Sequence, residues 1–225
     1  MIIVIIITRS AKQADLFVYI ISYNKNVYYM VIRKEFRVES AHIVRNCTSE
    51  RCSHSIHGHS AVIELFFESD QLDNAQMVMD FGLMKTSIKQ FVDSMDHCYL
   101  LCDKDRPEFK EFITKECDRY IVMPFNPSAE MLSLYIFKNV SNILELTNLA
   151  NGEQNVKLKA VRYHETITGY AECNEDDLKN IWKPEYDNVR YSEGVRRDWS
   201  DELTQAMQFD VRIQNPTIPQ QIKLN

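Results

Sequence analysis

The histidines are the residues whose type and spacing point most directly to chemistry. Four of the six lie between His42 and His59. His57 and His59 are two residues apart, so on a β-strand both imidazoles project from the same face and can reach one ion. His42, at the end of a preceding strand-like segment, would supply a third nitrogen. Three neutral imidazoles beside an open position are a ligand set of catalytic zinc, so the pattern predicts a Zn2+ site. The alternative is that these histidines only form hydrogen bonds in a polar loop.

A thiol lies near the histidines in the sequence. Cys52 precedes His57 and is separated from it by four residues. If Cys52 were a fourth metal ligand, the site would be closed and structural. If it were not a ligand, it would be a thiol beside the metal that acts as an acid or a base. The spacing leaves both interpretations open.

Four further polar residues are weaker candidates. Asp96 and His97 are adjacent and follow a predicted helix, where polar residues often only end the helix. Glu130 falls in the first turn of another predicted helix, where the helix dipole stabilises a carboxylate. Glu165 lies at the junction of two apolar strands. Its carboxylate would either face solvent or accept two parallel N–H bonds from a ligand.

Hydrophobic periodicity predicts the elements that must hold these residues. Alternating apolar residues indicate strands, and apolar residues at helical spacing indicate helices. The predicted strands cover residues 31–42, 59–67, 156–164 and 167–172, and the predicted helices cover 83–92 and 126–146. The second helix would begin with Asn126 as N-cap and Pro127 in the first helical position. The order ββααββ favours an α+β fold, with a four-stranded antiparallel sheet and two helices packed on one face.

Composition narrows the class of protein. The chain has 225 residues, of which 45% are apolar and 26% charged, as is typical of soluble globular domains. A net charge of -6 argues against a nucleic-acid partner. The apolar run from Met1 to Ile7 is interrupted at Arg9, is too short to span a membrane and lacks the basic start of a secretory signal. We therefore expect a cytoplasmic protein with reduced cysteines and no membrane partner.

The motifs that carry chemistry occupy the middle of the chain. We expect one domain over residues 30–173, an N-terminal extension over 1–29 and a C-terminal extension over 174–225. The C-terminal extension is polar and partly irregular, so little hydrophobic core is expected from it. Met30 directly precedes the recognisable pattern and is an alternative to Met1 as the biological start.

Six short runs carry a family resemblance. They are FRVESAH (36–42), CSHSIHGHS (52–60), VMDFGLMK (78–85), MDHCYLL (95–101), NPSAE (126–130) and HETITGYA (164–171). In this order they resemble the family of 6-pyruvoyl- and 6-carboxy-tetrahydropterin synthases, and in particular the bacterial branch that serves 7-deazaguanine and queuosine synthesis. The resemblance implies the tunnelling fold (T-fold), in which trimers stack into a homohexamer with active sites between subunits.

The resemblance also implies roles for the matching positions. The implied Zn2+ ligands are His42, His57 and His59. Cys52 would be the catalytic thiol and would work with Asp96 and His97 in a proton relay. Glu165 would bind the amino-pyrimidine edge of a pterin substrate, with the turn from Ser128 to Glu130 nearby.

The implied activity is that of a zinc-dependent 6-carboxy-5,6,7,8-tetrahydropterin synthase. This lyase converts 7,8-dihydroneopterin triphosphate to 6-carboxytetrahydropterin and releases acetaldehyde and triphosphate. One alternative is the pyruvoyl-forming synthase, which keeps the three-carbon side chain. Another is a non-catalytic zinc-stabilised module in which Cys52 completes a closed site. Two departures from the family pattern concern this site. The spacing of Cys52 from His57 differs, which makes Cys47 the alternative thiol. Ala61 stands where an aromatic residue commonly follows HGH.

Overall fold

A computed structural model describes residues 29–215 and the backbone of two N-terminal strands at residues 2–9 and 16–23. Met1, residues 10–15, residues 24–28 and residues 216–225 lie outside the described residues. The choice of Met1 as the biological start, and the last ten residues of the predicted C-terminal extension, therefore lie outside them as well.

Nine strands and seven α-helices make up the described residues. The strands are β1 (Ile2–Arg9), β2 (Leu16–Tyr23), β3 (Met30–His42), β4 (His57–Ser69), β5 (Cys98–Cys102), β6 (Tyr120–Met123), β7 (Lys157–Thr166), β8 (Gly169–Cys173) and β9 (Arg190–Tyr191). The α-helices are α1 (Glu50–His54), α2 (Ser87–Asp93), α3 (Pro107–Glu116), α4 (Ala129–Leu146), α5 (Glu175–Ile181), α6 (Glu193–Arg196) and α7 (Asp201–Phe209). Within this part of the chain, no helix has both the length and the apolar character needed to cross a bilayer.

The central sheet has seven strands in the order β8-β7-β4-β3-β5-β6-β9, and β1 pairs with β2 in a separate antiparallel sheet. The strands β8, β7, β4 and β3 are antiparallel neighbours and are the four strands that the sequence predicts. The prediction of a four-stranded antiparallel sheet is nevertheless incomplete. Strand β5 pairs in parallel with β3, and β6 pairs in parallel with β5. The fold is α+β with a mixed sheet.

The residue pattern does not predict strands β5 and β6, because other residues cover both faces of each strand. Cys98 and Leu100 of β5 belong to the main core. Tyr99 and Leu101 alternate with them and pack with Ile113 of α3 in a second cluster. A strand buried on both faces reads as a continuous apolar run without alternation. The two predicted helices, α2 and α4, both cover one face of the sheet, and α3, which was not predicted, packs against the other face.

The main core lies between the sheet and helices α2, α4 and α7. Helix α4 contributes residues that are at most 1% exposed, namely Leu132, Tyr135, Ile136, Val140 and Ile143. The prediction of Asn126 as its N-cap is wrong. The hydroxyl of Ser128 caps the helix by accepting a hydrogen bond from the N–H of Met131 at 3.4 Å. The Asn126 side chain is occupied by the backbone of Arg45 instead.

Residues 174–215 also contribute to the main core. Val195, Leu203 and Ala206 are fully buried, and Trp199 is 8% exposed. These apolar residues are scattered through short helices among charged residues, so the mean composition conceals them. Strand β9 pairs with the edge strand β6. The segment is therefore packed more extensively than its composition indicates, and the domain boundaries at 30 and 173 stay a prediction.

Candidate metal centre

Three imidazoles converge where β3 ends and β4 begins. The antiparallel register pairs His42 with His57 and Ser40 with His59. Residues directly opposite each other in such a pair share one face of the sheet. The ring centroids of His42 and His57 are 4.6 Å apart, and the centroids in each of the other two pairs are 5.2 Å apart. One nitrogen from each ring lies within 4.8 Å of the other two, so the three rings can hold one metal ion.

Two of the nitrogens in this cluster have no protein partner. His42 Nε2 and His59 Nε2 are buried and form no hydrogen bond within the described residues. A buried polar atom without a partner costs about 1–3 kcal/mol. Lone pairs of neutral imidazoles are ligands for zinc and other transition metals. The residues present therefore fit a bound metal ion, which would satisfy both nitrogens.

Backbone carbonyls orient two of the three rings. His42 Nδ1 lies 2.7 Å from the carbonyl oxygen of Pro127, and His57 Nδ1 lies 3.0 Å from that of Ser55. Because a carbonyl oxygen only accepts, Nδ1 of each ring must carry the proton and Nε2 keeps its lone pair. Histidines that ligate metals are characteristically held by such a second hydrogen bond.

Burial keeps His42 in the neutral form that metal binding requires. The residue is 3% exposed. Burial lowers the pKa of His42 to about 4; the hydrogen bond to Pro127 opposes this shift, whereas the neighbouring His57 and His59 add to it. At neutral pH the ring is uncharged, so binding of a metal does not have to displace a proton from it.

The Asn126 side chain joins the two chain segments that meet at His42. Its Oδ1 accepts a hydrogen bond from the N–H of Arg45 at 3.0 Å, and its Nδ2 donates to the Arg45 carbonyl. This pair of bonds ties the residues that leave β3 to the turn that carries the Pro127 carbonyl. Arg45 Nη1 in turn donates to the Ser53 carbonyl at 3.0 Å and so reaches α1, the helix that contains Cys52. The residue pattern indicates only an N-cap role for Asn126 and no role for Arg45.

Glu165 is the acidic residue nearest to the histidines. Its Oε1 lies 3.8 Å from His42 Nε2 and is buried without a hydrogen-bond partner in the described residues. Burial raises the pKa of the Glu165 carboxyl, while the nearby His59 opposes the shift and Glu130 adds to it. Glu130 is itself exposed in the first turn of α4, next to the N-cap Ser128. The structure therefore brings Glu165 to the histidine centre, with Glu130 close enough to influence its charge.

Asp96 and His97 form a second polar group. Asp96 Oδ2 lies 3.0 Å from His97 Nδ1, and Asp96 Oδ1 accepts from the N–H of Glu39 at 2.7 Å. Burial raises the pKa of Asp96, but the hydrogen bonds from Glu39 and His97 outweigh it and the net shift is downward. Asp96 therefore remains a carboxylate at neutral pH. His97 lines the same open cleft of about 690 Å3 as the metal-centre residue His59.

Cys52 belongs to neither group within one chain. It is a free, half-buried cysteine in α1, and its thiol forms no hydrogen bond within residues 29–215. The group of potential metal ligands found in this part of the chain consists of the three imidazoles and contains no sulfur. The alternative thiol, Cys47, donates to the carbonyl of Ser49 at 3.3 Å. The ligand group thus does not include the closing sulfur that a structural site would need.

Known proteins resemble this chain in sequence and in fold. Residues 31–176 match the family model described as 6-pyruvoyl tetrahydropterin synthase. A Helicobacter pylori protein named 6-carboxy-5,6,7,8-tetrahydropterin synthase is 40% identical over 178 residues, which cover 76% of this chain and 88% of that protein. An Aquifex aeolicus protein of the same name is 32% identical over 161 residues, covering 64% of this chain and 98% of that protein. A solved structure of an uncharacterized Wolinella succinogenes protein shares the fold with a TM-score of 0.54, at 20% identity over 66% of this chain and 99% of that one. The chain belongs to the 6-pyruvoyl tetrahydropterin synthase family.

Proposed function

We propose that this chain is a zinc-dependent 6-carboxy-5,6,7,8-tetrahydropterin synthase that acts in the cytoplasm. It converts 7,8-dihydroneopterin triphosphate to 6-carboxytetrahydropterin and releases acetaldehyde and triphosphate, as a lyase of 7-deazaguanine and queuosine synthesis. The observation that carries the proposal is the convergence of His42, His57 and His59 in a chain whose relatives bear this enzyme's name.

The three histidines are the proposed metal ligands. Neutral nitrogen donors suit Zn2+, and a three-histidine set is found in catalytic zinc sites. When bound, zinc would polarise the side-chain hydroxyl groups of the substrate and make them more acidic. The chain's own contribution is to hold the rings in one tautomer and one orientation, through the carbonyls of Pro127 and Ser55.

Glu165 is the proposed anchor for the pterin ring. The amino-pyrimidine edge of a pterin presents neighbouring N–H groups, and a carboxylate accepts two such bonds in parallel. The buried Oε1 of Glu165 forms no hydrogen bond within the described part of the chain, so binding of this edge would satisfy it. Burial favours the protonated carboxyl, and the substrate's donors would favour the carboxylate instead. The turn from Ser128 to Glu130 would lie beside the bound ring.

Asp96, His97 and Cys52 are the proposed proton carriers. The Asp96 carboxylate orients His97 by accepting from Nδ1–H, which leaves Nε2 as the atom that accepts and returns a proton. Cys52 would exchange a proton with the substrate side chain. Because no contact joins Cys52 to His97 among the described residues of one chain, we propose that the complete site forms between subunits of a homohexamer.

Product analysis tests the proposal. Zinc-loaded protein incubated with dihydroneopterin triphosphate should yield 6-carboxytetrahydropterin by mass and acetaldehyde in equal amount. Cys52→Ala should keep its zinc and lose turnover, whereas the matched control Cys47→Ala should keep both. Loss of zinc from Cys52→Ala would instead indicate a closed structural site. A product that retains all three side-chain carbons would identify the pyruvoyl-forming enzyme.

Subunit mixing tests the shared site. Cys52→Ala and His97→Ala should each keep only a small residual rate when assayed alone. If the two residues of one site come from different subunits, dissociated and reassociated mixtures should regain part of the parent activity. Mixed hexamers that keep only this residual rate, or a chain that is monomeric in solution, would contradict the proposal of a shared site.

A further inference from the structure

The C-terminal segment (residues 177–215), which follows the part of the chain matched by the family model, packs beside the Asp96–His97 pair. The match to the family model ends at residue 176. Trp199 Nε1 donates to Ser94 Oγ at 2.6 Å, two residues before Asp96. The N–H and hydroxyl of Ser200 donate to Gln90 Oε1 at 3.0 and 2.9 Å. The C-terminal segment is thus bonded to the middle of α2 and to the turn that leads into the pair.

Arg119 connects the same segment to the backbone of the pair itself. Its Nε donates to the Asp96 carbonyl at 3.0 Å, and its Nη2 donates to the Asp93 carbonyl at 3.1 Å. Its Nη1 donates to the Gly194 carbonyl at 2.8 Å and pairs with the Asp198 carboxylate. Four of the five guanidinium N–H groups are therefore occupied. A planar guanidinium with its donors at fixed angles holds such partners in one arrangement.

Helix α6 lies directly against the residue that precedes Arg119. A Cβ atom at Gly194 would come within 2.3 Å of the carbonyl oxygen of Asp118. Only glycine fits this close approach without displacement of the backbone. The contact between the C-terminal segment and the residue before Arg119 is therefore tight.

His97 needs such support, because its backbone conformation is unfavourable. Its φ is 51°, in the left-handed region that residues with a side chain rarely adopt. Conformations of this kind persist where surrounding structure fixes them, and they cluster at functional sites. The His97 side chain is 76% exposed, so side-chain packing does little to hold the ring. The ring is held by the Asp96 carboxylate at Nδ1. The backbone is held by the hydrogen bond from the His97 N–H to the Glu39 carbonyl at 2.6 Å and by the bond from Arg119 to the Asp96 carbonyl.

We propose that the C-terminal segment, acting through Arg119, is a positioning element that fixes the direction in which the Asp96–His97 pair faces the substrate. This inference rests on the proposed function, because it assumes that the pair transfers protons. It assigns to Arg119 a role separate from direct binding of the substrate phosphates. The occupied donors and the ion pair with Asp198 support that assignment.

Steady-state kinetics of Arg119→Gln test the proposal. A misplacement near 1 Å can cost about 100-fold in rate, so we expect kcat to fall by about 10- to 100-fold. KM should stay within about twofold and zinc content should be unchanged, because Arg119 is not among the proposed metal ligands or pterin-binding residues. The matched control is Arg197→Gln, which removes the exposed ion pair between Arg197, the residue after α6, and Asp118 and should leave kcat unchanged. A raised KM with kcat intact would overturn the proposal and make Arg119 a substrate ligand.

A double-mutant cycle separates positioning from general structural support. If Arg119 acts only through the pair, Arg119→Gln should have no further effect on the residual rate of His97→Ala. An equal loss in both backgrounds would overturn the proposal. A parent-like rate in His97→Ala would refute the proposed function of the pair itself, and the positioning proposal with it. A parent-like rate in Arg119→Gln beside a slow His97→Ala would refute the positioning proposal alone.

A milder variant covers the case in which Arg119→Gln does not fold. Trp199→Phe keeps an aromatic ring at this position, removes the donor to Ser94 and leaves a small cavity where the larger indole packs. Loss of one hydrogen bond of about 1 kcal/mol should lower kcat by about fivefold. This effect should also vanish in the His97→Ala background. An unchanged kcat in Trp199→Phe, with Arg119→Gln unfolded, would overturn the proposal.

Discussion

Replacing Asn126 with alanine should weaken zinc binding, although Asn126 is not a proposed ligand. Its side chain forms two hydrogen bonds with the backbone of Arg45, and these bonds hold the turn whose Pro127 carbonyl lies 2.7 Å from His42 Nδ1. Each bond contributes about 1 kcal/mol, so the variant should lose about 2 kcal/mol of stability. For a chain of this size that corresponds to a fall in Tm of about 4–8 °C. Loss of the fixed outer partner of His42 should reduce zinc affinity by about 10- to 100-fold.

Competition with a chromophoric chelator at pH 7 measures the zinc affinity, and thermal unfolding of the metal-free protein measures the stability. The matched control is Asn139→Ala, which removes a hydrogen bond to the Tyr135 carbonyl within α4 and should destabilise the fold without changing zinc affinity. If Asn126→Ala bound zinc as tightly as the parent while losing the expected stability, Asn126 would have no part in orienting His42.

Three further predictions follow from individual residues. Burial lowers the pKa of His42 from 6.5 to about 4, so between these pH values the unfolded chain binds more protons than the folded chain. The metal-free protein should therefore lose stability as the pH falls from 6.5 to about 4. The free energy of unfolding, measured by urea denaturation, should change with pH by up to about 1.4 kcal/mol per pH unit. The change should be smaller in His42→Gln. Glu165→Gln should raise KM by about tenfold with its zinc retained, since an amide cannot accept both pterin N–H bonds; an unchanged KM would rule out the anchor. Leu203→Ala should cost about 2–5 kcal/mol, because Leu203 is fully buried, and a loss below 1 kcal/mol would show that α7 is not part of the core.

The sequence pattern best predicts strands that have one face in the core and the other face outside it. Strand β3 alternates, because Phe36 and Val38 pack on the core while Arg37 and Glu39 are exposed, so its span is close to the predicted one. Strand β4 has apolar residues at alternate positions of its core face, although Glu64 and Glu68 on its other face are also buried. The spacing of His57 and His59 places both rings on one face by geometry alone. The pairing of His42 with His57 does not follow from local pattern. It depends on the register that the connection from residue 43 to 56 imposes.

The remaining features depend on contacts between distant residues. Strands β5 and β6 lack alternation because two clusters cover them, and the apolar residues of α6 and α7 are diluted by charged neighbours. The orienting group of His42 is a backbone carbonyl, which any residue at position 127 would supply, so residue type gives no signal. Asn126 and Arg119 act on backbone atoms in the same way. A family motif can single out such a residue, but the neighbouring sequence does not identify the backbone atom to which it binds.

X-ray absorption at the zinc K-edge of the zinc-loaded protein tests the central claim most directly. Three imidazole nitrogens and one further light atom should appear at about 2.0–2.1 Å, with no sulfur shell near 2.3 Å. The spectrum should be unchanged in Cys52→Ala and should lose an imidazole contribution in His42→Gln. A sulfur shell that disappears in Cys52→Ala, or a metal environment that is indifferent to His42, would contradict the assignment of an open three-histidine zinc site.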